Sequence, residues 1–105
     1  MFAAEYETAA LDGRRRSSRA AVSFDVRLAN GGNGRALCKV VDLSAHGARL
    51  HTYSTLRRGT TIWLALPDVG HVAADVMWAD EFVAGCRFHV PLAAETFEAL
   101  VARRS

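Results

Sequence analysis

The chain has 105 residues, of which 50% are hydrophobic and 23% are charged, and its formal net charge is +2. This length and composition allow one globular domain with a single hydrophobic core. No apolar stretch approaches the ~20 residues that a membrane-spanning helix needs. Residues 1–13 carry acids but no basic residue, unlike the start of a secretory signal. We therefore expect a cytoplasmic domain with no membrane partner.

The N-terminal part divides into an arm and a basic cluster. Residues 1–13 have no strong periodic pattern, which predicts a flexible arm that is mobile or weakly helical. Residues 14–19 read RRRSSR, with four arginines in six positions. We expect the folded domain to comprise residues 14–105.

Strands follow in order along the chain. Val22, Phe24, Val26 and Leu28 alternate with polar residues, as in a half-buried strand, and the NGGNG at 30–34 has the composition of a hairpin loop. Further strands are predicted at about 35–43, 47–53, 60–67, 71–79 and 83–90. Six short strands with brief turns indicate an antiparallel barrel or sandwich, because a single sheet would leave its edges exposed.

The C-terminal residues have a different period. Pro91 is tolerated at a helix start, where the first N–H groups lack partners. Phe97, Leu100 and Val101 then recur at helical spacing. One helix is expected to pack on the β-structure or cap it.

The cysteines and histidines form no recognisable metal or redox motif. Cys38 and Cys86 stand far apart without a CxxC pair, so we expect reduced, partly buried thiols, no metal and no cofactor. Ser44 and His46 lie close together, but no GxSxG nucleophile elbow surrounds the serine. No catalytic residue is predicted, and the protein is not expected to be an enzyme.

Two short motifs have the composition of a ligand site. Arg15 to Arg19 form an RxxxR just before the first strand, and Asp42 to Gly47 form a DxSxxG between strands two and three. Each motif alone has an ordinary explanation. A basic hexapeptide is usually a solvated arm. A DxSxxG is usually a turn, in which Asp or Ser bonds local backbone and Gly supplies a positive φ.

Together, in this order and spacing, the two motifs resemble those of the PilZ domain, a family of bacterial cyclic di-GMP receptors. Residues 76–78 (VMW) and 85–88 (GCRF) are similar to the final β-hairpin of that family. The resemblance spans about residues 14–90, and the C-terminal helix fits a common extension of the family. It implies an all-β fold: a six-stranded antiparallel β-barrel with a C-terminal α-helix and a mobile N-terminal arm that folds over the ligand.

The resemblance also implies which residues bind the ligand. Arg15 and Arg19 take the two arginine positions of the first motif, and Asp42, Ser44 and Gly47 take the second. A basic residue at the position of Arg14 accompanies a stacked, intercalated dimer of cyclic di-GMP in this family. Two further residues are possible contacts: Arg16, which could equally face water, and Trp78, which could be packed in the barrel or stack on guanine.

The chemistry of these residue types agrees with that assignment. Guanidinium groups bind phosphate bidentately and match the O6/N7 edge of guanine. An aspartate accepts from the N–H donors on the other guanine edge, and a serine hydroxyl can add a hydrogen bond. Glycine allows a flat ligand to approach the backbone closely. The sequence does not identify the protein effector that would receive the signal.

Two other functions compete with this one. A degenerate adaptor of the same family would bind protein without nucleotide, but the motif residues are intact. A nucleic-acid-binding barrel would usually interleave aromatic and basic residues on its strands, whereas Phe24 and Trp63 are isolated. We expect no nucleic-acid partner.

Overall fold

The protein is described here by a computed structural model that covers residues 19–30 and 35–103, with the side chain of Arg35 left out. The predicted arm at residues 1–13 and the candidate ligand residues Arg14, Arg15 and Arg16 lie outside the described residues.

Over residues 19–30 and 35–103, six strands and one helix follow each other, which confirms the predicted elements. They are β1 Ala20–Ala29, β2 Arg35–Leu43, β3 Gly47–Thr52, β4 Thr61–Leu66, β5 Gly70–Asp80, β6 Val83–Phe88 and α1 Ala94–Ala102.

The helix begins later than Pro91 because the chain before it is still attached to the barrel. The amide of His89 donates to the carbonyl of Ala73 at 2.9 Å, and the amide of Leu92 donates to the carbonyl of Ala45 at 2.7 Å. Residues 89–92 therefore stay outside the helix, which starts at Ala94.

The strands form a closed antiparallel barrel in the order β1-β2-β3-β6-β5-β4. Closure between β1 and β4 uses two residue pairs, Leu28 with Leu64 and Ala29 with Trp63. Closure gives every strand two hydrogen-bonded neighbours and removes the exposed edges that an open sheet would have. The barrel alternative is thereby confirmed over the sandwich.

The core fills the barrel interior with residues from alternate strand positions. In β1, Phe24, Val26 and Leu28 are buried while the residues between them are exposed. The buried residues of all strands and Leu100 of α1 form a single cluster. Phe97 packs against the same cluster, so the helix covers part of the core rather than standing free of it. In the part of the chain that is described, no helix is long and apolar enough to cross a lipid bilayer.

In the described strands the regular pairing is interrupted at three places, one of which lies between Ala21 and Phe24 of β1. Val40 pairs with Leu50 and Asp42 with Arg49, so Val41 is an extra residue in β2. Val76 pairs with Cys86 and Trp78 with Gly85, so Met77 is an extra residue in β5. A bulge changes the direction of the side chains around it. As a result Met77 and Trp78, which are consecutive, are both exposed, by 47% and 45%.

Candidate ligand-binding groove

Arg19, the last residue of the first motif, lies beside the second motif at the start of β1. The register pairs Ala20 with Leu43 and Ala21 with Asp42, which brings Arg19 beside the second motif. Arg19 Nε donates to Asp42 Oδ2 at 3.2 Å. The side chain of Arg19 is 59% exposed and that of Asp42 is 19% exposed, so the pair lies at the surface. Within the described residues, no side-chain oxygen accepts a hydrogen bond from the Nη groups of Arg19. These groups have the chemistry to bind an anion.

Ser44 organises the turn between β2 and β3. Its hydroxyl oxygen accepts from the amides of His46 and Gly47, each at 3.2 Å. The hydroxyl itself donates to the Gly47 carbonyl over a long 3.4 Å. A hydroxyl has two acceptor lone pairs and one donor. The acceptor capacity of Ser44 is therefore used within the turn, and its weakly bonded donor is the part that a ligand could use.

Gly47 is required by a close approach of two strands. A Cβ at this position would overlap the backbone carbonyl oxygen of Cys86 in β6. The positive φ that a DxSxxG turn suggested for this glycine is not observed; in the described residues only Gly59 and Gly70 among glycines have one. The turn is further attached to β6 because Phe88 donates its amide to the carbonyl of His46 at 2.8 Å.

An open groove of about 220 Å³ lies beside this turn. It contains Arg19, Ser44 and Gly47 of the two motifs and also Trp78. Asp42 joins the site through its ion pair with Arg19. The structure thus brings together every predicted site residue that it describes, although they come from the chain before β1, the end of β2, the β2–β3 turn, the start of β3 and β5.

Trp78 lies against the backbone of β6 at the edge of the groove. A Cβ built on its strand partner Gly85 would overlap the indole nitrogen and its neighbouring ring carbon. The ring therefore covers Gly85, and its 45% exposure leaves a surface on the groove side. Of the two roles considered for Trp78, the geometry favours the exposed one over burial in the barrel.

Sequence reasoning missed several residues of the groove. Arg49 of β3 and Arg87 of β6 line it, and neither makes a side-chain hydrogen bond or ion pair with another described residue. With Arg19 they make the groove basic. His46, Met77 and Cys86 complete this part of the lining. The outward phase of Arg49 was readable from the sequence, but its position beside β6 depended on a strand order that alternation does not encode.

The pKa values of Cys38, Cys86 and Asp75 are shifted by burial or by hydrogen bonds within the fold. Burial raises the pKa of the Cys38 thiol to about 12 and that of the Cys86 thiol to about 11, so both stay protonated at neutral pH, as expected for unreactive core thiols. Asp75 accepts hydrogen bonds from His89 at 2.7 Å and Thr61 at 2.9 Å, and these bonds lower the pKa of its carboxyl group. Over residues 19–30 and 35–103, no three metal-ligating side chains cluster.

Comparison with protein families agrees with this geometry. The family model of the PilZ domain matches residues 13–103. The chain belongs to the PilZ family. PilZ domains are cyclic di-GMP-binding receptor and adaptor domains, not enzymes. The match starts before the basic cluster and ends with α1, so both PilZ motifs and the helix lie within it. A comparison with curated proteins gave no significant match.

Proposed function

We propose that this protein is a cyclic di-GMP receptor that binds the dinucleotide in the groove between the β2–β3 turn and Trp78. The observation that carries the proposal is the direct pairing of Arg19 with Asp42 at the mouth of a basic groove. One residue from each motif is thereby available to the same ligand. The assignment of Arg15, Arg19, Asp42, Ser44 and Gly47 as ligand contacts is part of this proposal.

The groove offers a matching group for each part of the ligand. The free Nη groups of Arg19 suit a phosphodiester anion, and the second oxygen of Asp42 suits the N1–H and N2–H donors of guanine. The exposed face of Trp78 suits a stacked base, a contact worth about 1–3 kcal/mol. Three chemically different contacts on one surface favour a nucleotide over a simple anion.

The size of the groove indicates that further contacts are needed. Pockets that enclose a ligand usually measure about 300–1,000 Å³, which is more than this groove provides. Arg14, Arg15 and Arg16 precede Arg19 in the chain, separated from it by Ser17 and Ser18. We propose that they close over the ligand, that Arg14 supports an intercalated dimer, and that the closed arm is the signal read by a protein effector.

Calorimetric titration tests the receptor function. Cyclic di-GMP should bind, whereas GTP and a short RNA should not. Arg19→Ala should lose about 1.5–3 kcal/mol of binding, the range for hydrogen bonds to charged groups. Its melting temperature should barely change, because an exposed ion pair contributes only about 0–1 kcal/mol. Arg57→Ala, in an exposed turn that is not part of the groove, is the matched control.

The same titration tests the dimer. The wild-type protein should bind two ligand molecules per chain, and Arg14→Leu should bind one. Absence of cyclic di-GMP binding by the wild-type protein would favour the degenerate adaptor. A stoichiometry of one ligand per chain in both proteins would support the receptor function but contradict binding of a ligand dimer.

Limited trypsin digestion tests the arm. Cyclic di-GMP should slow cleavage after Arg14 to Arg19 because the guanidinium groups would be engaged by phosphate. Cleavage after Arg57 and Arg58, which are exposed, serves as the internal reference and should not change. Equal cleavage of the cluster with and without ligand would exclude the closing arm.

A further inference from the structure

Arg49 occupies a central position in one row of outward-facing residues. The register runs from Asp42 of β2 to Arg49 of β3 and from Arg49 to Gly85 of β6. Gly85 pairs in turn with Trp78 of β5. The bulge at Val41 places Asp42, rather than its neighbour, opposite Arg49. Arg49 therefore stands between the carboxylate and the aromatic ring of the proposed ligand site.

Among the described residues, the guanidinium of Arg49 has no hydrogen-bond or ion-pair partner. Asp42 is its cross-strand partner, yet the ion pair of that carboxylate is with Arg19. Arg49 is exposed, lines the groove and makes no side-chain hydrogen bond or ion pair within residues 19–30 and 35–103. On its other side Gly85 has no side chain, so the arginine can extend toward the base-stacking surface of Trp78.

We propose that Arg49 is a specificity-determining residue that donates to O6 and N7 of the guanine stacked on Trp78. This inference rests on the proposed function and assigns a role to a residue outside both motifs. Asp42 would accept from N1–H of the same base. Asp42 and Arg49 together present an acceptor beside a donor, and this pattern complements the N1–H and O6 groups of guanine. Adenine keeps the N7 acceptor but has a lone pair at N1 and an amino group at C6, so the contact of Asp42 and the O6 contact of Arg49 would both become repulsive.

A ligand analogue separates base recognition from phosphate recognition. Cyclic dinucleotide with 7-deazaguanine lacks N7 but retains both phosphates and the N1–H and O6 groups. The affinities of cyclic di-GMP and of this analogue are measured for the wild-type protein, for Arg49→Ala and for Arg27→Ala. Arg27 is an exposed arginine of β1 that does not line the groove. Thermal melting of each variant checks that the barrel is folded.

The wild-type protein and Arg27→Ala should bind the analogue several-fold more weakly than cyclic di-GMP. Arg49→Ala should bind cyclic di-GMP at least about tenfold more weakly than the wild-type protein does. The variant should bind cyclic di-GMP and the analogue with equal affinity, because the guanidinium that donates to N7 is gone. If Arg49→Ala weakens both ligands by the same factor, the arginine contacts phosphate and the inference is wrong. Unchanged affinity of Arg49→Ala also overturns it. Failure of the wild-type protein to bind cyclic di-GMP would instead contradict the proposed function.

Discussion

At the residue scale, Ser44 and Gly47 show how a ligand motif can also hold the fold together. Both hydrogen-bond-accepting positions of the Ser44 hydroxyl serve the turn. Gly47 allows the carbonyl of Cys86 to approach β3. Substituting either residue would change the turn as well as any ligand contact. Loss of binding in such a variant identifies a contact only when the stability of the variant is known.

Gly47→Ala should therefore destabilise the protein. The added methyl group would meet backbone atoms of β6, which cannot move aside as a side chain could. Overpacking of this kind costs about 1–3 kcal/mol. Chemical denaturation should show a lower free energy of unfolding without any ligand present. His46→Ala, an exposed neighbour in the same turn, should stay within about 0.5 kcal/mol of wild type. Wild-type stability of Gly47→Ala would contradict this reading of the contact.

At the scale of elements, the β5–β6 hairpin presents the aromatic surface of the groove. The bulge at Met77 directs Trp78 outward, and the absence of a side chain at Gly85 lets the indole lie on β6. The position of the ring thus depends on an irregularity in one strand and a glycine in the next. Among the described residues, neither Met77 nor Gly85 is paired in the strand register with a residue of the two sequence motifs.

Gly85→Ala should displace the indole while leaving the barrel folded. The three atoms nearest to the new methyl group all belong to the Trp78 side chain, which can rotate away. In a Trp63→Phe background, which removes the second tryptophan, acrylamide should quench the fluorescence of Trp78 more strongly. Affinity for cyclic di-GMP should fall in parallel. Unaltered quenching and affinity would show that the position of the Trp78 indole does not depend on Gly85.

At the scale of the whole molecule, barrel closure puts both thiols into one apolar interior. Cys38 comes from β2 and Cys86 from β6, and both belong to the core cluster. A thiolate in this interior would lose its hydration, so the folded protein holds each proton more tightly than the unfolded chain does. Titration of the thiols is thereby linked to unfolding of the barrel.

Stability should fall with pH in the alkaline range. The ordinary thiol pKa of 9.0 rises to about 12 for Cys38 and about 11 for Cys86 on folding. The contribution is fully present below pH 9, and it is lost progressively as the pH rises toward 11 and 12 because the unfolded chain releases its protons first. Denaturation at several pH values measures this slope. In a variant with both Cys38→Ala and Cys86→Ala the decline should be shallower, whatever the cost of the smaller side chains. An identical slope in the two proteins would mean that other groups cause it.

The sequence by itself determined the elements and the motifs. The period-two alternation in β1 predicted which of its side chains are buried. The helical spacing of Phe97 and Leu100 predicted which face of α1 packs on the barrel. Both periods follow directly from backbone geometry. The residues of both motifs were readable because their types and spacing are local. The proposed ligand contacts among them remain predictions.

Only the tertiary structure decided which strands are neighbours. Alternation states which face of a strand is buried, but it contains no information about the strand beside it or about the position of an extra residue. The placement of β3 next to β6 brought Arg49 into the groove, and the bulges at Val41 and Met77 put Asp42 and Trp78 in one cross-strand row with Arg49. Those features arise from packing between segments that are distant in the chain, so no local pattern could have revealed them.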